Sequence, residues 1–371
     1  MNNNEQGQVI LEEQEKTILM SNDNGMGNNK VTYGLDGKYY QFDFPSMYKE
    51  LEKQNTDTII INDKILNFSE GRLAVENGHQ TKDNEMHEVL LQRAAYEVYK
   101  RTNVKNFDVI TNYSLDSYKD DGGQKVLDRM SKIKTIKVKE LYKDEVELKI
   151  NRIDCYAECL TGGLTVKLKL KEEDVVFIDI GTRNIQLIRV SQGVPKYETS
   201  KSTTKGMSSI YRGVADITKI LPFGINDDVA VKMYLEQTKE GKLDKINEIE
   251  DKILEYLMNN IYNEIDKCLD EMQVSPLFTK YVFLGGGSYL LSRFLNAKFI
   301  EEKNTTPIYV NNPYFATSLG LFRKGERLYN YEKHQDAKLC EEDNKAAAKK
   351  TTTKKATTKK ATTKKETVKQ S

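Results

Sequence analysis

Val175-Val176-Phe177-Ile178-Asp179-Ile180-Gly181 is an apolar strand running into an acid and a glycine, and Asn184-Ile185-Gln186-Leu187-Ile188-Arg189-Val190 is a second β-like run close behind it. The same arrangement opens the chain: Thr17-Ile18-Leu19-Met20-Ser21-Asn22-Asp23-Asn24-Gly25, then Lys30-Val31-Thr32-Tyr33. Each copy reads as a hairpin whose tip offers backbone N–H groups and one carboxylate. Glycine lets the backbone approach a phosphate closely, successive N–H groups form an anion-binding concavity, and the nearby Asp holds magnesium directly or through its water. Two copies at corresponding places in two halves predict opposed jaws on one nucleotide.

Composition fits a two-part body. With 371 residues, 38% of them hydrophobic, the chain can supply two cores, and a soluble α/β class is expected. No stretch approaches the roughly 20 apolar residues of a membrane span. The start, Met1-Asn2-Asn3-Asn4-Glu5-Gln6, has neither the basic nor the apolar part of a signal peptide, so a cytoplasmic location without membrane contact is expected. Cys155, Cys159, Cys268 and Cys340 have no CxxC spacing and His79, His87 and His334 are scattered. No zinc or disulfide framework is readable, and plain reduced thiols are expected.

The net charge of +1 conceals an asymmetry. Residues 345–371 hold ten Lys against the single acid Glu366, a balance of +9, which leaves −8 on the rest. This segment repeats Lys-Lys-Ala-Thr-Thr with period five and has almost no apolar residue to offset the entropy of ordering, so a disordered basic tail is expected. It reads either as a solubility segment or as one making nonspecific contact with polyanions. It lacks the interleaved aromatics that would stack on bases.

Along the chain, Asp36-Gly37 is a strong two-residue hairpin signal between Val31–Leu35 and Lys38-Tyr39-Tyr40-Gln41-Phe42, so the opening is a β-meander. Residues 43–84 are short-stranded, consistent with a small inserted subdomain. Met86, Leu90, Leu91, Ala94, Ala95 and Val98 recur at helical spacing, and Phe107-Asp108-Val109-Ile110 follows as a buried strand. Glu145–Ile153 alternates like a strand and enters Cys155-Tyr156-Ala157-Glu158-Cys159-Leu160-Thr161-Gly162-Gly163. The second half has its own meander, with a turn at Gln192-Gly193. Ile246, Ile249, Ile253, Leu257, Ile261, Ile265 and Leu269 mark a long amphipathic helix packed on one face.

Two further glycine sites follow. Lys280-Tyr281-Val282-Phe283-Leu284 is a short apolar strand that leads through Gly285-Gly286-Gly287-Ser288 into a helix. Three glycines leave no side chain to block a flat base or a phosphate, and the first N–H groups of the helix face the ligand. The segment Asn312-Pro313-Tyr314-Phe315-Ala316-Thr317-Ser318-Leu319-Gly320-Leu321-Phe322 reads as a helix with Pro at its first position and small residues on one face, which lets two helices cross closely as a hinge requires.

The ordered set over roughly residues 17–330 resembles the actin superfamily of ATPases, and within it the bacterial ParM-type filament proteins that segregate plasmids. Asp23-Asn24-Gly25-x-Gly27-Asn28-x-Lys30 is similar to the family's first phosphate loop and Asp179-Ile180-Gly181-Thr182 to its second. Leu284-Gly285-Gly286-Gly287-Ser288 is similar to its adenosine loop and Pro313–Gly320 to its second hinge helix. Thr111–Tyr118 stands where relatives often have a Gly-Leu-Pro run ending in Tyr, and Ala157-Glu158 where they have Pro-Glu; the glycine and both prolines are lost here.

The resemblance implies a duplicated, actin-like (ribonuclease H-like) two-domain ATPase fold. A polar leader (1–16) precedes a first domain at 17–170, with its insert at about 43–84. A second domain spans 171–311, with a small subdomain at about 196–245; a hinge and C-terminal helix cover 312–334 and the tail 345–371. ATP, with GTP as an open alternative, and magnesium are the implied cofactors. Asp23 and Asp179 face each other across the metal. Gly25, Gly27, Gly181 and Thr182 supply N–H groups to the β- and γ-phosphates, joined by Asn24 and Asn28; Lys30 adds positive charge, and Gly285, Gly286, Gly287 and Ser288 hold the adenosine side. Glu158 is the candidate for orienting or deprotonating the attacking water. The implied partners are further copies of the chain in a polar filament, and a ParR-type DNA-binding adaptor with its plasmid centromere DNA. A small-molecule kinase of the same superfamily, and a nucleotide-binding cytoskeletal protein without turnover, stand as alternatives. A DnaK-type chaperone is disfavoured because no large β-rich substrate module follows residue 330.

Overall fold

The computed structural model of the chain describes residues 16–73, 82, 84–218 and 247–328. The tail expected at 345–371, the leader and most of the subdomain expected at 196–245 lie outside the described residues.

The first hairpin is β1 (Thr17–Asn24) and β2 (Asn28–Leu35), continued by β3 (Lys38–Pro45). The turn between β2 and β3 is made by Asp36 (φ 51°) and Gly37 (φ 75°), both left-handed, the pair of conformations that matches the twist of a two-residue hairpin. Next come β4 (Met47–Glu50), β5 (Thr58–Ile61), β6 (Lys64–Leu73), helix α1 (Glu85–Thr102), β7 (Asn106–Tyr113), α2 (Leu115–Asp121), α3 (Gln124–Met130), β8 (Thr135–Glu140), β9 (Val146–Ala157) and α4 (Leu160–Gly163). Their strands form one sheet in the order β3-β2-β1-β7-β9-β8-β5-β6-β4, with β1, β7 and β9 parallel to one another. The short strands of the 43–84 region are continuous with this sheet, because β5 pairs antiparallel with β8.

A second sheet repeats the plan. It contains β10 (Asp174–Ile180), β11 (Ile185–Ser191), β12 (Val194–Pro195), β13 (Lys201–Thr203), β14 (Thr279–Leu284) and β15 (Ile308–Tyr309). The order is β12-β11-β10-β14-β15, with β13 also on β11. Its antiparallel β10–β11 hairpin corresponds to β1–β2, and the parallel β14 and β15 correspond to β7 and β9. The Gln192-Gly193 turn is again left-handed at both residues (φ 52° and 77°).

Helices α5 (Met207–Thr218), α6 (Asn247–Leu257), α7 (Asn263–Glu271), α8 (Gly286–Leu290) and α9 (Ser292–Lys303) accompany this sheet. The long amphipathic helix spans α6 and α7 with a π-helical segment, Met258–Tyr262, between them. The reason lies in its spacing. Apolar residues every fourth position from Ile253 to Leu269 rotate by about 40° per step around an α-helix, and the wider π-turn returns the stripe to the core. Ile253, Leu257, Ile261, Ile265 and Leu269 are all buried.

Val175–Ile178 is buried on both faces, as central parallel strands are. Val176 and Ile178 pack with Ile210, Ile261 and Phe299, whereas Val175 and Phe177 pack with Leu115, Cys159 and Ala316. The second of these clusters joins elements of the two halves. Residues 316–328 form a helix after the one-turn Pro313–Phe315. It crosses α4 so closely that a Cβ on Gly320 would lie 1.9 Å from the Thr161 carbonyl oxygen. No helix among the described residues is long and apolar enough to cross a membrane.

Candidate functional site

The three parallel strands of the first sheet end at one place. β1 ends in Asn22-Asp23-Asn24, β7 in Asn112-Tyr113 and β9 in Ala157, with Glu158 next in the chain. The carboxyl ends of parallel strands are where open α/β sheets present ligand-binding groups. Lys30 lies directly opposite Asp23 in the hairpin register, so their ion pair is a cross-strand contact, with Nζ 3.0 Å from Asp23 Oδ2. Asn112 Nδ2 donates to Asp23 Oδ1 at 2.6 Å and to Glu158 Oε2 at 3.3 Å, linking the two acids. Asn112 Oδ1 accepts the Asn24 N–H.

The second sheet meets this row from the other side. Asp179 and Gln186 are opposite each other in the β10–β11 register. Gln186 Nε2 donates to Glu158 Oε1, while its Oε1 accepts the Leu115 N–H at 3.2 Å. One amide of the second half therefore holds both the acid and a helix start of the first. Lys82 completes the cluster, with its Nζ 2.5 Å from Glu158 Oε2.

The glycines mark close approaches. A Cβ on Gly285, whose φ is +84°, would lie 2.2 Å from Asp179 Oδ1; one on Gly25 would lie 2.4 Å from the Asn28 carbonyl oxygen. The Gly25 N–H donates to the Asp23 carbonyl and that of Gly181 to the Asn184 carbonyl, so both turns are internally closed. The Gly285 N–H donates to Pro313. Gly287 is buried against Ile180 and Met207, and the buried Ser288 hydroxyl donates to the Leu284 carbonyl. Tyr314, whose ring faces Gly286, accepts from Asn28 Nδ2 and donates to Asp43, each at 2.5 Å.

Electrostatics differ sharply between the two aspartates. Burial raises the Asp23 carboxyl, but the charges of Lys30 and Lys82 and the hydrogen bonds from Lys30 and Asn112 overcome this and hold it below the usual carboxylate range. Burial pulls Lys30 down, yet Asp23 pushes it up to about 12. Among the described residues Asp179 has no such bonded cation. Loss of water, then the Glu158 charge and that of Asp23, push it up to about 7 against the weaker opposing pull of Lys30 and Lys82.

Among the described residues no group of three or more His, Cys, Asp or Glu side chains is arranged to hold a metal by itself. Two carboxylates beside glycine turns are a donor set that suits a hard cation taking its other ligands from outside the protein. Magnesium takes hard oxygen ligands and commonly uses one or two carboxylates together with phosphates and water. Asp23 and Asp179 are the two carboxylates that stand beside turns a Cβ would fill.

Of the residues singled out from sequence, Asp23, Asn24, Lys30, Glu158, Asp179 and Gly285 are tied to one another by these contacts, and Gly27 touches Thr182. Lys82, Asn112, Gln186 and Tyr314 were not singled out. Hairpin register would have flagged Gln186, opposite Asp179; Asn112 stands at the end of an apolar strand that pairs with β1.

Comparisons with known proteins agree with this architecture. The family of archaeal MreB-like actin homologues, C-terminal domain, matches residues 177–297. The solved structure of the actin-like protein Alp7A is 17% identical, with a TM-score of 0.67 over 87% of this chain and 100% of that one. The Alp12 filament structure is 16% identical (TM-score 0.61; 84% of this chain, 99% of that one). Bacillus thuringiensis ParM with AMPPNP is 15% identical (TM-score 0.61; 83% and 98%). No curated protein sequence matches. The chain has the actin-like, two-sheet α/β fold, as the resemblance implied.

Proposed function

We propose that this chain is a nucleotide-driven ATPase that assembles into filaments and moves plasmid DNA through a ParR-type adaptor bound at the centromere. The observation that carries the reading is the convergence of Asp23, Lys30, Asn112 and Glu158 from one sheet on Asp179, Gln186 and Gly285 from the other. The AMPPNP complex of the Bacillus thuringiensis ParM and the filament of Alp12 support nucleotide binding and self-association.

Bound magnesium would neutralise phosphate charge, held by Asp23 and Asp179. The protein's own groups do the rest. Lys30 places a fixed positive charge beside the first phosphate turn. The glycine turns at 25–27, 181 and 285–287 admit phosphates and base. Glu158 accepts a hydrogen bond from the attacking water and aligns it with the terminal phosphorus; the water oxygen bonds to phosphorus and gives its proton to Glu158 as the bridging oxygen leaves with the diphosphate. ATP is the proposed nucleotide, with GTP distinguished by direct competition.

The test is light scattering with magnesium and ATP, with phosphate release followed in parallel. A rise in scattering before phosphate appears supports a filament ATPase; phosphotransfer to a small molecule without scattering overturns it in favour of a kinase. Glu158→Ala should still bind ATP and assemble, with turnover lower by about 100-fold.

A further inference from the structure

Lys82 is almost completely withdrawn from water. Its side chain is 3% exposed and that of Glu158 13%, and they meet at 2.5 Å. A buried ammonium is costly unless it is paired. It stands two residues before Asn84, whose side chain caps the 18-residue α1 by accepting the His87 N–H.

The carboxylate it meets is crowded in a specific way. Glu158 Oε2 accepts from Lys82 and Asn112, and Oε1 accepts from Gln186. A carboxylate offers about four acceptor positions. Three are occupied, by groups from three separate segments of the chain, and about one is left for a water. Of the three donors only Lys82 carries a charge. Asn112 is shared with Asp23, and Gln186 is shared with Leu115. Lys82 is therefore the partner that fixes which way the fourth position points.

We propose that Lys82 is the positioning residue for Glu158: it acts through that carboxylate and does not itself touch the nucleotide. The inference rests on the ATPase reading above. Removing Lys82 leaves phosphate and metal groups in place but frees the carboxylate to turn, so kcat should fall while KM stays. Lys82 also adds its charge to the field at Asp23 and Asp179. A direct phosphate contact is the rival role, and that would raise KM.

The experiment is a double-mutant cycle on the full chain, measuring ATP turnover with Lys82→Met, Glu158→Gln and both together. Lys82→Met should lower kcat about 30-fold with KM within about threefold of the parent. In the Glu158→Gln background the same change should lower kcat by no more than about threefold, because residues acting as one unit are not additive. Lys82→Gln, which removes the charge and falls one bond short of Lys, should reproduce the kcat loss if the Met variant fails to fold. Undiminished kcat in a folded Lys82 variant overturns the proposal alone. A full further loss in the Glu158→Gln background, or a tenfold rise in KM, overturns it in favour of direct contact. A parent protein that releases no phosphate from ATP overturns the ATPase reading and this one together.

Discussion

Gly27 and Thr182 touch across the cleft: a Cβ on Gly27 would lie 2.5 Å from the Thr182 hydroxyl oxygen and 3.1 Å from its methyl carbon. The tips of the two hairpins are thus in van der Waals contact, and the only atom missing between them is the one glycine lacks. Thr182 is β-branched and has few alternative rotamers to retreat into. Gly27→Ala should hold the tips apart and weaken nucleotide binding about tenfold, equivalent to about 1.4 kcal/mol. Adding Thr182→Ala should recover most of the loss. Titration with a fluorescent ATP analogue reads both; additive losses would mean the tips do not meet in the bound state.

The cross-strand pair of Asp23 and Lys30 makes a second prediction, about stability. The side chains are 6% and 15% exposed, and the remaining bond to Asp23 comes from Asn112. Taking away one partner of a buried pair strands the other charge, so Lys30→Met should destabilise the fold by about 3 kcal/mol. Combining it with Asp23→Asn should restore a large part of that. Urea unfolding midpoints of the two single variants and the double variant are the measurement, and equal effects of Lys30→Met in both backgrounds would show the pair to be uncoupled.

Much of this was legible in the sequence, for identifiable physical reasons. The Asp36-Gly37 and Gln192-Gly193 turns and the Gly285 corner depend on backbone conformations that glycine supplies locally, and the acid-glycine hairpins on the close approach that a missing Cβ allows. The buried stripe of the long helix is likewise local, being set by spacing. What was hidden depends on pairing between distant segments. Gln186 reads as one polar residue in an apolar strand until the two halves face each other. Asn112 gains its role only when β7 lies beside β1 and its amide reaches both acids. Lys82 sits in a polar stretch with no pattern of its own. The strands of the insert at 43–84 extend the first sheet because β5 pairs with β8, a contact of high sequence separation.

Asp179 predicts a pH dependence. Its carboxyl is pushed from an ordinary 3.8 to about 7, so between those values the folded chain holds a proton that the unfolded chain has released. Stability from this group is fully present below about pH 4 and is lost as pH rises through 7. Asp23, shifted the other way, contributes above its ordinary 3.8 and loses its contribution only in acid, so it is silent between pH 5 and 8. Asp179→Asn should therefore match the parent's unfolding midpoint near pH 4, exceed it somewhat at pH 5 and exceed it most at pH 8, without nucleotide or magnesium. An equal difference at both pH values would show that Asp179 is not the titrating group.

The last prediction separates two ways in which a glycine is required. At Gly37 no atom of the described residues lies within 4 Å of an added Cβ, and φ is +75°. Gly37→Ala should therefore lose only the penalty of a left-handed backbone, about 1–2 kcal/mol. At Gly320 no positive φ is involved; the added Cβ would lie 1.9 Å from the Thr161 oxygen, 2.5 Å from its carbonyl carbon and 3.1 Å from the Gly162 nitrogen. All three are backbone atoms, so no rotamer change relieves the clash and the helix beginning at 316 must move off α4. These helices join the halves, through Cys159 and Ala316 packed with Phe177. Gly320→Ala should destabilise the fold by about 3 kcal/mol, the upper end for overpacking. It should also lower nucleotide affinity, whereas Gly37→Ala leaves affinity unchanged. Thermal unfolding with and without ATP distinguishes them: a Gly320→Ala protein that gains as much stability from ATP as its parent would mean the crossing does not set cleft geometry.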